Sequence, residues 1–523
     1  MKTVGMRLVE GLHARGVEVI FGIPGVHTVE MYRGLSGSPV RHVTARHEQG
    51  CAFMADGYAR AAGKPGVALV ITGPGLTNAI TAMAQAREDS VPMLVISGVN
   101  RQRSLGKGWG LLHELPDQQA MIAALCPTRR ITDASQVGEV LDWAFATMAT
   151  GRPGPVHIEV PTDVMPMECG ELARPAPLPA RPVAKGVAEA AALLNAAKDV
   201  VILAGGGVRG QEAALVALAE RLDAPVVQTI NARGLMHGHA LTVPASPSLS
   251  AVRELIQAAD RVLAIGTEFG WTDYDMDDMG DLPARPDMIR VDACAEQLAR
   301  LPAALTLHGE AGATMRAFLP LITARKGTGA ARAAATRDKA RNELAQYGPL
   351  MLDRLGMVEA VRSAMPGCLI VGDSTQPIYA ANLYYDHDRA GGYFNAATGY
   401  GALGYGPGAA VGAAIASPGA KVVCLIGDGG LQFSPGELRT AVDENLPITF
   451  LVWNNAAYNE IADAMRAANT EVIGCYPSPL KMELFAGACD LPFTSVPLDP
   501  EALHRALSQP HEGPRLIEVR VTV

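Results

Sequence analysis

"IGDGGLQFSPGELRTAVDENLPITFLVWNN", running from Ile426 to Asn455, decides how the whole chain is read, because of where its polar residues fall. An apolar strand, Val422 to Gly427, ends in Asp428 between glycines, and a second, Ile448 to Trp453, ends in Asn454 and Asn455. Between them Ser434-Pro435-Gly436-Glu437 predicts a helix start, with a serine N-cap, proline at the first helical position and a glutamate able to complete a capping box. Strand, glycine turn, helix and strand make a right-handed βαβ unit, so both strands are parallel and Asp428 and Asn455 emerge at the same carboxyl edge. One carboxylate and one amide oxygen, completed by backbone carbonyls, suit a hard cation such as Mg2+ that keeps positions open for phosphate oxygens. Gly429 and Gly430 let backbone N–H groups approach a phosphate. As turn formers alone these residues would need no ligand; two polar strand ends at this spacing favour the ion.

At 523 residues the chain exceeds one core, and about three domains are expected. A proline-rich stretch, Glu171 to Gly186, and a basic, alanine-rich one, Ala324 to Glu343, read as linkers. They leave segments 1–170, 185–323 and 345–523, each alternating β-branched runs with alanine-rich helical stretches. That pattern predicts an α/β fold of three parallel-sheet domains. A net charge of −9 argues against nucleic acid or an anionic membrane as partner. No apolar run approaches the roughly 18–20 residues of a membrane span. Eight scattered cysteines without CxxC spacing, and no signal peptide before Met1-Lys2-Thr3, make the cytoplasm the expected compartment.

GDG followed by the paired asparagines resembles the thiamine diphosphate motif. That resemblance implies Mg2+ held by Asp428, Asn455 and the Ala457 carbonyl, with Gly427, Gly429, Gly430 and Tyr458 around the diphosphate. "FGIPG" (Phe21 to Gly25), "RHEQGCAFMADGYARAAGKPGVALVITGPGLTN" (Arg46 to Asn78) and "GPVHIEVPTDV" (Gly154 to Val164) look like the pyrimidine-binding domain of the acetolactate synthase and 2-oxo acid decarboxylase group. The likeness implies a pyrimidine-binding domain, a Rossmann-like middle domain and a diphosphate-binding domain. Glu48 then matches the glutamate that relays a proton to the aminopyrimidine ring, and Gly73 and Asn78 line the cofactor. In "YGALGYG" (Tyr400 to Gly406) the Gly401 carbonyl would accept from the cofactor's amino group while Leu403 wedges it into a bent shape. Asp373 and Gln376 resemble the loop beside the diphosphate. Because such sites join domains of different subunits, the resemblance implies at least a homodimer, with a homotetramer expected.

Two loops depart from the synthases. In "LLHELPDQ" (Leu111 to Gln118) His113 stands where glutamine is common, followed by Glu114, and His27 falls where relatives place a side chain over the thiazolium. Either imidazole could deliver a proton. After the metal asparagine, Glu460 replaces an apolar residue, and Asp463 flanks the same face. A carboxylate at such a position costs desolvation unless a cation pairs with it. The stretch Glu268 to Asp281 adds six acidic residues and no basic one, either a solvated loop or an attraction for a cationic substrate. Together with "FGIPGVHTVE", "VISGVNR" and "HELPDQ", these features resemble the 5-guanidino-2-oxopentanoate (2-ketoarginine) decarboxylases, which would make 4-guanidinobutanal and carbon dioxide from this small-molecule 2-oxo acid. The alternatives are carboligation of two pyruvates by an acetolactate synthase and, in another class, a non-catalytic regulatory or scaffold paralogue. Intact Glu48, Asp428 and Asn455 disfavour the paralogue. Flavin is left open by the sequence, with absence expected.

Overall fold

The computed structural model describes residues 1–274 and 285–521. Its strands form three six-stranded sheets in which every strand pairing is parallel. The first contains β1 (Val19–Gly22), β2 (Arg41–Thr44), β3 (Gly66–Val70), β4 (Met93–Val99), β5 (Thr128–Arg130) and β6 (Pro155–Pro161), in the order β2-β1-β3-β4-β6-β5. The middle sheet contains β7 (Val200–Ala204), β8 (Val226–Gln228), β9 (Thr242–Val243), β10 (Arg261–Ile265), β11 (Ile289–Asp292) and β12 (Leu305–His308). Its order, β12-β11-β10-β7-β8-β9, is doubly wound, with the switch point between β7 and β10. The third contains β13 (Leu369–Gly372), β14 (Tyr393–Asn395), β15 (Val422–Gly427), β16 (Ile448–Asn454), β17 (Phe493–Pro497) and β18 (Arg515–Arg520). Its order, β14-β13-β15-β16-β18-β17, repeats the first strand for strand. This is the α/β, three-parallel-sheet architecture expected from the alternation of β-branched and alanine-rich runs.

Central strands such as β3 and β4 are buried along their whole length, as helices on both faces require. The first and third sheets meet through two helices, Glu48–Ala62 and Tyr405–Ala416. A Cβ at Gly57 would overlap the Ala409 carbonyl, and one at Gly412 the Met54 carbonyl, so the helices cross with their backbones touching. Phe53, Met54, Tyr58, Tyr405, Ala409 and Val411 consequently belong to one core that serves both sheets.

Two expectations are corrected. The stretch Ala324 to Glu343 is no linker, because Gly329–Glu343 is helical. Alanine, arginine and lysine are strong helix formers; Ala333, Thr336 and Ala340 turn inward, and the Glu343 carboxylate accepts from the Ser250 and Ala251 N–H groups at 2.8 and 3.1 Å. The capping box at Ser434 is not made either. The helix there runs Glu437–Asp443 with Gly436 as N-cap, and Ser434 Oγ donates instead to the Gly404 carbonyl at 2.8 Å. Glu437 reaches across to the N–H groups of Arg46 and His47, each 3.1 Å away, which are orphan donors at the start of the Glu48 helix.

Of the acidic stretch, Asp275, Asp277, Asp278 and Asp281 lie outside the described residues. Among the described residues no helix is long and apolar enough to cross a membrane. All eight cysteines are buried and free.

Candidate active site

The β15–β16 register pairs Gly427 with Trp453, so the residues that follow leave adjacent strands side by side. The Asn455 N–H points at Asp428 Oδ1, 3.4 Å away. Asp428 is 4% exposed, and burial pushes its carboxyl above the ordinary range, a penalty that a bound cation would reverse. Ala456 adopts a left-handed φ of +53°, which folds the turn so that the Asn454 and Asn455 side-chain oxygens accept from the N–H groups of Ala456 and Ala457, both at 3.2 Å. Asn454 is fastened from behind, its Nδ2 donating to Glu518 Oε1 at 2.7 Å while Ser495 Oγ donates to Oε2 at 2.6 Å. The Tyr458 ring packs on Gly429, 2.5 Å from where a Cβ would stand.

Gln376 ties this turn to its surroundings. Its Oε1 accepts from Trp453 Nε1 at 3.3 Å and Asn455 Nδ2 at 3.4 Å, and its Nε2 donates to Glu460 Oε2 at 3.4 Å. Glu460 is exposed at the start of the helix Asn459–Ala467, and its charge, with that of Asp463, acts on the Arg354 guanidinium. Asp463 itself is held within its helix by Asn459 at 2.8 Å and Arg466 at 2.5 Å. Asp373 is fully buried; burial pushes its carboxyl up to about 6, and it accepts from the N–H groups of Ser374 and Gly406, each at 2.9 Å. It therefore anchors the start of the Tyr405 helix, next to Gly430. The loop before that helix exposes Gly401, half-buries Leu403 and is held by Gln85, whose Oε1 accepts from Ala402 N–H at 3.2 Å.

A second group forms at the carboxyl edge of the first sheet. Glu48 opens its helix, and its Oε2 accepts from Asn78 Nδ2 at 2.9 Å. Gly73 has φ +62°, and a Cβ on it would stand 2.6 Å from the His113 carbonyl. His113 has φ +62° too, a strained value for a residue with a side chain. Its ring meets that of His27 edge-on, centroids 5.4 Å apart and planes at 70°. The Nδ1 atoms of both are buried with no hydrogen-bond partner among the described residues. Burial lowers the pKa of His27, and His113 beside it lowers it further. Glu114 is turned onto its own loop, accepting from Leu111 N–H at 2.9 Å and Trp109 N–H at 3.2 Å, which holds its pKa down.

Family models match along the chain: the N-terminal TPP binding domain of thiamine pyrophosphate enzymes over residues 2–121, the central domain over 187–318 and the C-terminal TPP binding domain over 373–519. The chain belongs to the thiamine pyrophosphate enzymes. It is 42% identical over 485 residues to "Probable 2-ketoarginine decarboxylase AruI" of Pseudomonas aeruginosa, covering 91% of this chain and 86% of that protein. To the acetolactate synthase isozyme 1 large subunit of Escherichia coli it is 29% identical over 540 residues, 98% of this chain and 93% of the other. The thiamine diphosphate-dependent 4-hydroxybenzoylformate decarboxylase of Rhodococcus jostii RHA1 shares the fold with a TM-score of 0.83 at 24% identity, over 99% of both chains.

In this thiamine pyrophosphate enzyme the middle sheet borders a cavity of about 650 Å3 at its carboxyl edge, lined by Gly205–Gly207, Thr229, Glu268 and Asp292. Glu268 pairs with Arg152 at 2.7 Å, and burial pushes its pKa up to about 7; Asp273, pushed up to about 6, accepts from Ile230 N–H at 3.1 Å. The described part of the acidic stretch thus faces protein partners.

Sequence reasoning passed over Gln118 and Glu159, and read Glu437 as a capping-box glutamate only. Glu159 carried a usable signal, since a carboxylate inside the apolar run of β6 must be paired. Gln118 carried none and the local pattern at Glu437 pointed to the wrong partner, because the groups both residues reach are distant in the chain.

Proposed function

We propose that this enzyme removes carbon dioxide from a 2-oxo acid with a cationic tail, 5-guanidino-2-oxopentanoate above others, and releases 4-guanidinobutanal. The observation that carries the reading is the His27–His113 pair, two imidazoles with unpartnered Nδ1 atoms, the second on a residue of left-handed φ beside the Gly73 turn. A decarboxylase must return a proton to the carbon that lost its carboxylate, and these rings can deliver it. A carboligase has no such need.

The residues present fit the family's cofactor. A buried carboxylate of raised pKa, an amide oxygen and the Ala457 carbonyl form a hard donor set for Mg2+. Gly427, Gly429 and Gly430, with the Tyr458 ring against Gly429, would offer backbone N–H groups to a diphosphate. Thiamine diphosphate, when bound, supplies the electron sink that lets the 2-oxo acid lose its carboxylate. Glu48, oriented by Asn78, would exchange a proton with the pyrimidine ring of the bound cofactor, for which Gly73, the Gly401 carbonyl and Leu403 would supply the surroundings. Gln376 holds Asn455 and Glu460 together, so the metal turn and the tail-binding carboxylate share one anchor. Glu460 pairs with the guanidinium, since planar guanidinium groups bind carboxylates bidentately. Asp463 and Glu114 shape helix and loop in this reading, and Asp373 supports the Tyr405 helix.

The two groups of site residues, each bordered by exposed apolar side chains (Val26, Trp109 and Leu112; Phe433, Ile461 and Tyr476), support assembly as a homodimer or a homotetramer built from it. Segments 1–170, 185–323 and 345–523 serve as the pyrimidine, middle and diphosphate domains of a cytoplasmic enzyme. The test is carbon dioxide release with thiamine diphosphate and Mg2+ from 5-guanidino-2-oxopentanoate and from pyruvate, with product identification. Preference for the guanidino acid with aldehyde product is expected; preference for pyruvate with acetolactate as product overturns it. Visible absorbance of the purified protein decides whether flavin is carried.

A further inference from the structure

Beneath the Gly73 turn lies a buried polar network to which the proposed reaction assigns no part. Gln118 is 3% exposed, heads the helix Gln118–Ala123, and uses its whole side-chain amide. Oε1 accepts from Gly73 N–H at 3.0 Å; Nε2 donates to the Gly98 carbonyl at 2.9 Å and stands 3.1 Å from Glu159 Oε2 and 3.2 Å from Ser97 Oγ. Glu159, fully buried, also accepts from Arg130 Nε at 2.5 Å. Ser97 continues to His157 Nε2 at 2.9 Å, and His157 Nδ1 meets Thr128 Oγ1 at 2.8 Å. Every partner constrains which way the amide points, because its oxygen faces a donor and its nitrogen faces a carbonyl and a carboxylate.

The fastened segments are those that hold the imidazoles. A Cβ on Gly73 would stand 2.6 Å from the His113 carbonyl, and one on Gly98 would stand 3.3 Å from the His27 carbonyl. One amide thus joins the two backbone points against which the His27 and His113 loops rest. The third sheet makes the same joint: Glu518 on β18 is bonded by Ser495 on β17 and by Asn454, whose neighbour is the metal-turn residue Asn455. Glu159 on β6, Arg130 on β5 and Gln118 are the matching parts of the first sheet.

We propose that Gln118 is a positioning residue, setting the distance and angle between the His113 and His27 imidazoles through the Gly73 turn and Gly98. The inference rests on the reading of those histidines as proton donors. Gln118→Met keeps the volume and removes every hydrogen bond; Glu159→Gln, a milder change, removes the charge that the amide nitrogen faces. In the holoenzyme, Gln118→Met is expected to lower kcat for carbon dioxide release about 100-fold, the scale of a 1 Å misplacement, with KM and cofactor affinity unchanged. The His113 imidazole NMR resonance of the substrate-free holoenzyme is expected to move. Glu159→Gln should shift the same resonance with a smaller loss of kcat, and it serves as the test if the methionine variant does not fold. An unmoved resonance, or activity that falls only with the folded fraction, overturns the proposal. If wild-type protein releases carbon dioxide from no 2-oxo acid, the reaction assignment fails, while the resonance still reads what Gln118 does.

Discussion

In the first sheet the central strand β3 leads through Gly73 into a helix of 15 residues that opens on Pro74; in the third, β15 leads through Gly427 into a helix of 4 that opens on Asp428. The helices that precede these strands differ in the opposite sense, one opening on Glu48 and the other on Tyr405. The strand order is shared, yet the carboxylate opens the helix before the central strand in one half and the helix after it in the other. The physical lesson is a separation of charges. On the proposed function, a cation beside Glu48 would hold it ionised and spoil it as a proton carrier, whereas Asp428 would serve a metal only while ionised.

The comparison can be broken most severely at Glu48. Glu48→Gln keeps the Asn78 contact but carries no titratable proton, and turnover is expected to fall by about 1,000-fold or more, with thiamine diphosphate affinity by calorimetry little changed. Activity near wild type would mean that the two halves do not divide the work as described. Next, Asp428→Asn should weaken the apparent Mg2+ constant about 100-fold, since even residues that only support metal ligands matter on that scale. Pro74→Asp, which copies the third turn into the first, should create no second metal-dependent rise in melting temperature; such a rise would show the halves to be interchangeable. A smaller effect is expected at Glu460→Gln, about tenfold in kcat/KM for the guanidino acid and none for pyruvate. Equal losses on both substrates would remove the cation pairing.

The smallest effect concerns His157, a histidine on β6 where β18 has none. Burial holds its pKa down to about 3, whereas an unfolded chain protonates near 6.5. Between those values the unfolded chain binds the extra proton, so the His157 contribution is present above about 6.5 and is lost as pH falls towards about 3. Glu159 titrates in the opposite sense, its carboxyl raised by burial, so the difference between wild type and His157→Gln is the useful quantity. The urea midpoint of the variant should fall less than that of wild type on acidification from about pH 7 to about pH 5.

Much of this was legible in the sequence because it is local. Alternating β-branched and alanine-rich runs mark parallel sheets, and polar residues ending apolar strands mark the carboxyl edge where ligands bind. The repeated strand order was not legible, since periodicity shows that strands exist and not which neighbours they choose. The capping box failed for a related reason: Ser434 and Glu437 obey the local pattern, but Gly404 and the start of the Glu48 helix, far off in sequence, are the partners they reach. Composition misled at Gly329–Glu343, where charge and alanine suggested a linker and helix propensity prevailed. At the site, Asp463 and Glu114 looked like substrate contacts by position, whereas Arg466 and the Leu111 N–H already engage them.

The core in which Met54 touches Gly412 sets a timetable for synthesis. Those residues are separated by roughly 360 positions, which the ribosome covers in roughly 20–70 s at about 5–20 residues per second. Throughout that interval the stripe of the Glu48 helix that meets the Tyr405 helix, around Phe53 and Gly57, lacks that partner. The nascent chain therefore carries a hydrophobic helix face that chaperones must shield until its last third emerges, and aggregation during expression should begin there.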